Sequence, residues 1–337
     1  MPRRAPLGEF ELIDLFTSAL PLRGEGVRVG VGDDAAALAP PRGELLVVTA
    51  DAVVDGVHFD RRFRPEEIGW KALAVNLSDL AAMGARPLWA LVALGLEPGT
   101  PPARIARIAR GLGRCARAHG ISVVGGNVTR ARQLSLTVTV LGSARPGRLL
   151  RRAGARIGDA VLVSGTLGDA ALGLGRGAAP SLVRRQRTPE PRIALGRALA
   201  GIATAAVDVS DGFVQDLGHL CRASGVGASV RLAELPLSPA YRRAVRRWAD
   251  PWAAALSGGE DYELALTAPV LRVPRALRAA RRVGTTLSVV GSIVRGSGVQ
   301  VVRCEGGLHP PPRGHDHLAR VPRSLTSPAE PLGSVLP

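Results

Sequence analysis

The sequence predicts an α/β protein of two domains, and three observations lead to this prediction. The 337 residues exceed one ordinary hydrophobic core and fit about two domains. Helix-like and strand-like segments alternate along the chain, as is typical of α/β folds. A basic, glycine-rich stretch with little periodicity, residues 143–159, interrupts this alternation. We therefore place the boundary near 145–150 and predict an N-terminal domain over 1–147 and a C-terminal domain over 148–318.

The elements of the first domain follow from apolar periodicity and from residues typical of helix ends. Residues 65–83 begin with a proline and two acids, which favour a helix N-terminus, and stop at Gly84. Residues 121–126 read as a strand that runs into a glycine turn. The remaining segments are assigned by their hydrophobic period. They are helices over 8–20 and 101–119, and strands over 45–49, 87–96 and 134–142.

The second domain is predicted in the same way. It opens with an apolar strand, which a glycine-rich turn and helix follow. Residues 206–223 read as strand, turn and helix. The other predicted elements are strands over 160–165, 262–268 and 287–294 and a helix over 191–200. The last nineteen residues, 319–337, contain four prolines, and this composition predicts a disordered tail.

Composition bears on compartment and redox state. No apolar stretch reaches the roughly 18 residues that a transmembrane helix needs. The acids Glu9, Glu11 and Asp14 interrupt any signal-peptide core near the N-terminus, so we expect a cytoplasmic protein. The three cysteines are an odd number, far apart and without a CxxC motif. They predict reduced thiols rather than a disulfide framework or a zinc site.

The formal net charge of +16 comes almost entirely from arginine. Lys71 is the single lysine among 44 basic residues, a bias that a GC-rich genome produces. The arginines are scattered over predicted helices such as 103–117 and 242–247, and only 3% of residues are aromatic. A basic protein of this kind can bind nucleic acid, but few aromatic rings are available for stacking on bases. We therefore expect solvated helix faces and no specific nucleic-acid partner.

Acids gather in five short stretches. These stretches hold eleven of the 28 Asp and Glu residues, and they are GDD at 32–34, DAVVD at 51–55, NLSD at 76–79, DVSDGFVQD at 208–216 and SGGEDYE at 257–263. Most lie where an apolar segment meets a glycine or a turn, which is where sites are usually built. A carboxylate cluster of this size needs cations, and Mg²⁺ takes oxygen ligands that it shares with phosphates.

Other interpretations of these acids stay open from the residues alone. Glycoside hydrolysis would need only two carboxylates. Asp208 and Asp211 are also compatible with capping a helix that starts at 211. Asp33 and Asp34 fit an ordinary turn, and Asp79 fits a solvated helix position.

The common nucleotide-binding motifs are absent from the sequence. The only lysine lies in GWKAL, so the GxxxxGK[ST] loop is missing. GLGRG at 173–177 has the wrong spacing for a dinucleotide motif, and the HRD and DFG motifs of protein kinases are missing. A nucleotide enzyme with this sequence must hold phosphates through metals, glycine-turn amides and arginine.

Seven motifs, in this order, resemble the thiamine-monophosphate kinase family, which is related to aminoimidazole ribonucleotide synthetase and selenophosphate synthetase. They are GDDAAAL, TADAVVDGVHF, KALAVNLSDLAAMGARP, VVGGNVTR, RRAGARIGD, DVSDGFVQDLGHL and SGGEDYEL, and the match runs from about 8 to 318. The resemblance implies the two-domain aminoimidazole ribonucleotide synthetase-like fold. In that fold the N-terminal domain forms a β-barrel with a partner across a homodimer, and ATP lies between it and the C-terminal α/β domain.

The resemblance also implies residue roles. Those implied for magnesium are Asp34, Thr49, Asp51, Asp79, Asn127, Asp208 and Asp211. Those implied for ATP are Gly126, Asn127, Arg152 and Ser210. Those implied for the thiamine phosphate are His58, Glu260 and His315. The residues expected to be catalytic are Asp34, Asp51, Asp79, Asp211 and Arg152.

Three positions depart from the family pattern, and they bear on the implied reaction. Asn127 stands where Asp is frequent, Ala50 where a hydroxyl residue is frequent, and His315 where an aromatic residue is common. The implied reaction is ATP plus thiamine monophosphate giving thiamine diphosphate and ADP, by direct in-line transfer assisted by several Mg²⁺ ions. Two alternatives are another ATP-dependent enzyme of the superfamily and a degenerate homologue that binds nucleotide or nucleic acid without catalysis. Selenophosphate synthetases usually carry a reactive Cys or Sec near a glycine-rich N-terminus, and none is present.

Overall fold

The structure is a computed structural model that describes residues 8–303 and 306–310. The chain divides into two compact units after Leu149, and each unit is described by itself. Three predictions lie outside the described residues: the role of His315, the state of Cys304 and the disordered tail over 319–337. Within the described residues, no helix is long and apolar enough to cross a membrane.

The first unit contains three helices and six strands in the part of the chain that the structure describes. In chain order they are α1 (Glu9–Thr17), β1 (Val27–Val29), β2 (Ala37–Leu38), β3 (Leu45–Val54), α2 (Pro65–Ala82), β4 (Arg86–Leu96), α3 (Pro102–Ala118), β5 (Ser122–Arg130) and β6 (Ser135–Ala144). Strands β1 and β2 pair with each other, and the other four form a sheet in the order β3-β6-β4-β5.

Helix α2 covers one face of the four-stranded sheet. It begins at Pro65 as the sequence predicts, and nearly all of its side chains are buried. Helix α3 packs on α2 through an apolar stripe that includes Ile105, Ile108 and Leu112, the spacing of an amphipathic helix. The other face of the sheet keeps large apolar side chains in solvent, with Leu46 at 49% and Val48 at 55% exposure.

The second unit is built around a mixed sheet of seven strands. Its elements are β7 (Ala160–Ser164), α4 (Asp169–Gly173), α5 (Pro180–Arg187), α6 (Ile193–Leu199), β8 (Ala205–Val209), α7 (Phe213–Ser224), β9 (Gly227–Arg231), α8 (Pro239–Ala244), α9 (Ala253–Ser257), β10 (Glu263–Ala268), α10 (Val273–Arg282), β11 (Leu287–Val294), β12 (Gly298–Val302) and β13 (Leu308–His309). The strand order is β13-β12-β9-β11-β7-β10-β8. Strands β7 and β10 and the edge strand β8 are buried along their whole length, and Phe213 and Leu217 of α7 lie in the core beside them.

The predicted α/β class is confirmed, and three element predictions need correction. Strand β3 continues to Val54, beyond the predicted end at 49. The predicted helix over 242–247 ends at Ala244. The glycine turn predicted after 121–126 is wrong, because β5 runs on to Arg130. Glycine is needed at position 126 because the backbone of β4 lies very close to it: a Cβ on Gly126 would lie 1.9 Å from the carbonyl oxygen of Val92.

Two of the three cysteines lie within the described residues, and both are buried and free. Burial raises the pKa of Cys221 to about 11, and it raises the pKa of Cys115 further. Both thiols therefore stay protonated and unreactive at neutral pH.

Candidate active site

Strand β3 and the last turn of α2 bring three of the predicted metal ligands together. Thr49 Oγ1 donates a hydrogen bond of 2.6 Å to Asp79 Oδ2. Asp51 lies two residues further along β3, so the alternation of the strand places it on the same face as Thr49. Its exposed carboxylate accepts a local bond of 2.7 Å from the Ala52 N–H. This face therefore presents a hydroxyl and two carboxylates side by side.

Asp34 lies in the turn between β1 and β2. Asp33 Oδ1 accepts the N–H of Asp34 at 2.8 Å, so Asp33 shapes the turn and the carboxylate of Asp34 stays exposed. Within residues 8–303 and 306–310, no basic side chain lies within 4.0 Å of the carboxylates of Asp34 and Asp51. In a chain with 43 arginines among its 44 basic residues, these two acids are not used for surface ion pairs.

Gly126 and Asn127 lie inside β5. Gly126 shares a cross-strand row with Asp51, through Val92 of β4, and three strand spacings separate the two residues by roughly 14 Å. Asn127 is exposed and pairs with Ala93 in the next row. Because successive residues of a strand point to opposite faces, Asn127 projects from the face opposite to Asp51.

His58 lies in the loop that connects β3 to α2. Its backbone N–H donates to Val54 O at 2.9 Å, and its Nδ1 accepts the Val54 N–H at 3.2 Å. An amide N–H can only donate, so the proton of the neutral ring is on Nε2. The side chain is half-buried. Nδ1 thus fixes the ring, and Nε2 carries the proton.

In the second unit, the turn from β8 to α7 carries Asp208, Ser210 and Asp211. Asp208 is buried near the end of β8, and Ser210 and Asp211 are half-buried. Helix α7 begins at Phe213 with Gly212 at the N-cap position, so Asp211 does not cap it. Gly212 has a φ of 126°, a conformation that side chains disfavour.

Asp216 holds this turn in place, a role that the sequence analysis missed. Its Oδ2 accepts the backbone N–H groups of Ser210, Asp211 and Gly212 at 3.0, 3.0 and 3.1 Å. Burial, with a contribution from the charge of Asp211, raises the pKa of Asp216 to about 7, against the lowering effect of these three hydrogen bonds. The available signal was its position four residues after Gly212 in DVSDGFVQD, one turn into a predicted helix.

Asp211, Asp216 and His219 each offer a ligand atom within 4.8 Å of one another, but Asp216 and His219 each have one of these polar atoms engaged by another group. Asp216 Oδ2 is used by three amides. Arg222 Nη2 lies 2.7 Å from His219 Nδ1, which leaves the ring proton on Nε2 because arginine can only donate. Burial and the charges of Arg222 and Arg152 lower the pKa of His219. The Arg152 side chain is exposed, and its carbonyl oxygen accepts a hydrogen bond of 3.0 Å from Ser224 Oγ at the end of α7.

The segment around Glu260 is held by its neighbours on both sides. Glu260 and Tyr262 have φ values of 67° and 50°, which non-glycine residues rarely adopt. The Glu260 N–H donates to Ser210 O at 2.7 Å, so Glu260 adjoins the β8–α7 turn. Gln186 Nε2 donates to Glu260 Oε2 at 3.3 Å, and Asp261 accepts the Gly168 N–H at 2.6 Å and the Ala170 N–H at 3.2 Å.

Glu263 is fully buried and is enclosed by charge. Its carboxylate accepts hydrogen bonds from Arg192, from Arg185 and from Ser164 Oγ. Burial alone would raise the pKa of Glu263, but the hydrogen bond from Arg192 and the charges of both arginines hold it below its ordinary value. Glu263 is therefore a structural acid, and its oxygens are not available to a ligand.

The acids that remain fit a hard cation. Carboxylate and hydroxyl oxygens on the β3 face, exposed and without arginine beside Asp34 and Asp51, are the donor type that Mg²⁺ prefers. Asp211 adds a half-buried carboxylate in the second unit. The predicted ligands thus fall into two sets. In the first unit, Thr49 and Asp51 lie on one face of β3, and Asp79 of α2 lies against Thr49. In the second unit, the ligands lie around the β8–α7 turn.

Comparisons with known proteins agree with this description. Residues 32–144 match the family "AIR synthase related protein, N-terminal domain", and residues 156–303 match "AIR synthase related protein, C-terminal domain". The thiamine-monophosphate kinase of Escherichia coli K12 is 38% identical over 93% of this chain and 98% of its own length.

Two solved structures are similar over most of the chain. The crystal structure of thiamine-monophosphate kinase from Stenotrophomonas maltophilia K279a is 44% identical with a TM-score of 0.80, over 88% of this chain and 96% of that one. The structure named "AaThiL complexed with AMPPCP and TMP" is 33% identical with a TM-score of 0.74, over 94% and 99% of the two chains. These matches confirm the two-domain fold that the resemblance implied.

Proposed function

The chain belongs to the thiamine-monophosphate kinase family of AIR synthase related proteins, and we propose that it transfers the γ-phosphoryl group of ATP to thiamine monophosphate. The products are thiamine diphosphate and ADP, which places the enzyme in thiamine diphosphate biosynthesis. A relative bound to AMPPCP, an ATP analogue, and TMP supports both substrates. The observation from this chain that carries the proposal is the pair of exposed carboxylates of Asp34 and Asp51, which lie away from arginine, together with Thr49 and Asp79 beside Asp51.

The chemistry requires charge neutralisation more than proton transfer. The acceptor is a phosphate oxygen that is already deprotonated at neutral pH, so no general base is needed. The obstacle is repulsion between two anions, and positively charged or N–H groups near the transferring phosphoryl group lower it. Direct in-line transfer is the step that these residues suit. Retention of configuration at phosphorus would overturn it.

Several side chains of this protein have roles in that step. His58 presents Nε2–H as a donor to the phosphate of thiamine monophosphate. Arg152 supplies a fixed positive charge to the phosphates of ATP, and the turn held by Asp216 presents Ser210 to the nucleotide. Glu260, oriented by Gln186, contacts the thiamine part of the substrate.

Magnesium is the metal that the donor set fits. In the first unit Asp34, Thr49, Asp51 and Asp79 would hold magnesium, and in the second unit Asp208 and Asp211 would. Asn127 lies on the sheet face opposite to Asp51 and would contact a Mg²⁺ ion separately. When bound, it supplies Lewis-acid neutralisation of the phosphate oxygens. The orientation of Asp79 by Thr49 contributes to this binding, because oriented ligands lose less freedom on coordination.

We also propose that the active form is a cytoplasmic homodimer. Leu46 and Val48 of β3 and Leu91 of β4 expose their side chains on the uncovered face of the sheet. An apolar sheet face of this kind is typical of an interface, and pairing of two such sheets would give the barrel that the resemblance implies. Light scattering of the wild type and of Val48→Asp, with the expected loss of the dimer in the variant, tests this.

The test of the proposed function is a coupled assay of ADP release. We expect release that depends on thiamine monophosphate and Mg²⁺, with thiamine diphosphate detected by mass spectrometry. ADP release with an aminoimidazole precursor in place of thiamine monophosphate would instead assign another reaction of the superfamily. Nucleotide binding without turnover of any acceptor would favour a catalytically degenerate homologue, and Asn127 is the residue that suggests this alternative.

RNA binding is expected to be weak and to disappear as salt is raised, since it would arise from counterion release alone.

A further inference from the structure

Lys71 is the only lysine of the chain, and every other basic position is arginine. It lies on the second turn of α2 and is fully buried, at 0% exposure. A buried ammonium group is costly unless its donors are satisfied. We therefore expect the contacts of the Lys71 ammonium group to explain why this position has a lysine.

The ammonium group of Lys71 contacts the loop that carries His58. Nζ donates a hydrogen bond of 2.9 Å to the carbonyl oxygen of His58. It also lies 5.5 Å from the centroid of the Phe63 ring, within the range of a cation–π interaction. The Phe63 ring in turn packs edge-on against Phe59 at 6.2 Å. The middle of the loop and its last residue are thus tied to α2 through one nitrogen.

Lysine suits this position better than arginine. The space is enclosed by buried aromatic side chains, Phe59 at 4% and Phe63 at 8% exposure. A compact ammonium on a flexible stem needs three partners, whereas a guanidinium is larger and carries five N–H donors to satisfy. This difference accounts for a lysine at the one place where a basic residue is buried within α2.

We propose that Lys71 is a positioning residue for substrate recognition: it holds the 55–63 loop so that His58 Nε2–H faces the phosphate of thiamine monophosphate. The inference rests on the proposed function. His58 is held by three hydrogen bonds: its carbonyl oxygen accepts from Lys71 Nζ, its N–H donates to Val54 O, and its ring Nδ1 accepts from the Val54 N–H. Removing the first contact loosens the other two.

The first test compares Lys71→Met with the wild type. Methionine keeps the length of the side chain and removes the donor. Loss of a hydrogen bond from a charged group to a buried carbonyl should raise the KM for thiamine monophosphate about tenfold or more, while the KM for ATP changes little. Arg114→Met, an exposed position on α3, is the matched control for loss of one positive charge, and its two KM values should stay unchanged. Lys71→Arg should not rescue the KM, because the larger group does not fit.

A double-mutant cycle shows whether Lys71 acts through His58. If it does, Lys71→Met combined with His58→Ala should be no worse than His58→Ala alone. Additive losses, or a rise in both KM values together, would overturn the proposal.

A spectroscopic readout separates failure of this inference from failure of the proposed function. The ring ¹⁵N shifts of His58 should report one tautomer with the proton on Nε2 in the wild type and a mixture in Lys71→Met, with thermal unfolding confirming that the variant is folded. Identical ¹⁵N spectra in the two proteins would overturn the role of Lys71 whatever the substrate. A wild type that releases no ADP with thiamine monophosphate, but whose ¹⁵N spectra differ from the variant as expected, would leave Lys71 holding His58 and refute only the reaction.

Discussion

The acids of the first unit and the acids of the second unit differ in what their oxygens contact. Asp34 and Asp51 are exposed and lie away from arginine, and Asp79 is oriented by the hydroxyl of Thr49. In the second unit, Asp216 and Glu263 are buried, and their oxygens are occupied by backbone amides or by arginine. Asp216 and Glu263 therefore stabilise the fold, whereas we propose that the first-unit acids bind a ligand.

The difference teaches how to separate functional from structural carboxylates in this chain. A structural acid has its hydrogen bonds completed by the protein, so its removal costs stability. A ligand-binding acid has oxygens that the protein leaves free for a cation, so its removal costs activity. Measuring both the free energy of unfolding and the activity of the same variants tests whether the two kinds of acid differ in this way.

The largest effect is expected for Glu263→Ala. It leaves Arg185 and Arg192 facing a buried space without their carboxylate, and breaking a buried pair in this way costs about 3–5 kcal/mol of the free energy of unfolding. Urea denaturation measures it. Glu190→Ala is the matched control, because Glu190 lies 3.7 Å from Arg192 but is 73% exposed. It should change the free energy of unfolding by no more than about 0.5 kcal/mol.

The pH dependence of unfolding follows from the lowered pKa of Glu263. A carboxylate with a lowered pKa contributes stability above its unfolded pKa, and this contribution is lost as the pH falls through the folded value. The wild type should lose this contribution on acidification below about pH 4.3, the ordinary value for Glu. Glu263→Ala should show a weaker dependence in that window, and an unchanged pH profile would argue against a charged Glu263.

Asp79→Asn should have the next largest effect, on activity. Removing one carboxylate that would hold Mg²⁺ weakens the neutralisation of the transferring phosphoryl group, so kcat should fall on the order of a hundredfold or more, with little change in thermal stability. Asp14→Asn, an exposed acid of α1 outside the five motifs, should keep full activity. Activity of Asp79→Asn within a few-fold of the wild type across a magnesium titration would make Asp79 an ordinary helix residue.

Thr49→Val should reduce activity about tenfold, the lower range for a residue that orients a metal ligand. Valine keeps the shape and removes the hydroxyl that donates to Asp79 Oδ2. The half-maximal magnesium concentration should rise, and Thr49→Ser should restore it. If serine fails to restore it, the methyl packing matters and the hydrogen bond does not.

Asn127→Asp should have the smallest effect. If Asn127 contributes to a metal, the added charge should lower the magnesium concentration for half-maximal activity about fivefold, with the KM for thiamine monophosphate unchanged. Asn127 projects from the sheet face opposite to Asp51, so it would act separately from the β3 cluster. An equal or higher magnesium requirement would remove Asn127 from the metal site, and the aspartates would hold the metals alone.

Much of this description was accessible from the sequence. Proline and acids at 65–67 located the start of α2, and apolar runs located β4, β10 and β11, because local patterning sets these elements. The extension of β3 to Val54 was not accessible. The polar residue Asp51 interrupted the apolar signal, while pairing with β6 continued the strand.

The candidate site divides in the same way. The motif order pointed to Asp34, Asp51, Asp79 and Asp211, and these are acids whose oxygens the fold leaves accessible or half-buried. Asp216 and Lys71 escaped notice because their roles depend on tertiary contacts, with the amides of a turn and with the carbonyl of His58. Periodicity reports which side chains are buried, and it does not report which backbone group a buried polar side chain will reach.

The most direct test of the account is the number of divalent ions that the β3 face binds. Electron paramagnetic resonance of Mn²⁺, titrated into the protein with an excess of AMPPCP, counts bound ions in the wild type, in Asp79→Asn and in Glu263→Gln. We expect Asp79→Asn to lose at least one tightly bound ion, and Glu263→Gln, if folded at the measuring temperature, to keep the wild-type number. Equal stoichiometry and affinity in Asp79→Asn and the wild type would contradict the assignment of the first-unit acids as the metal site.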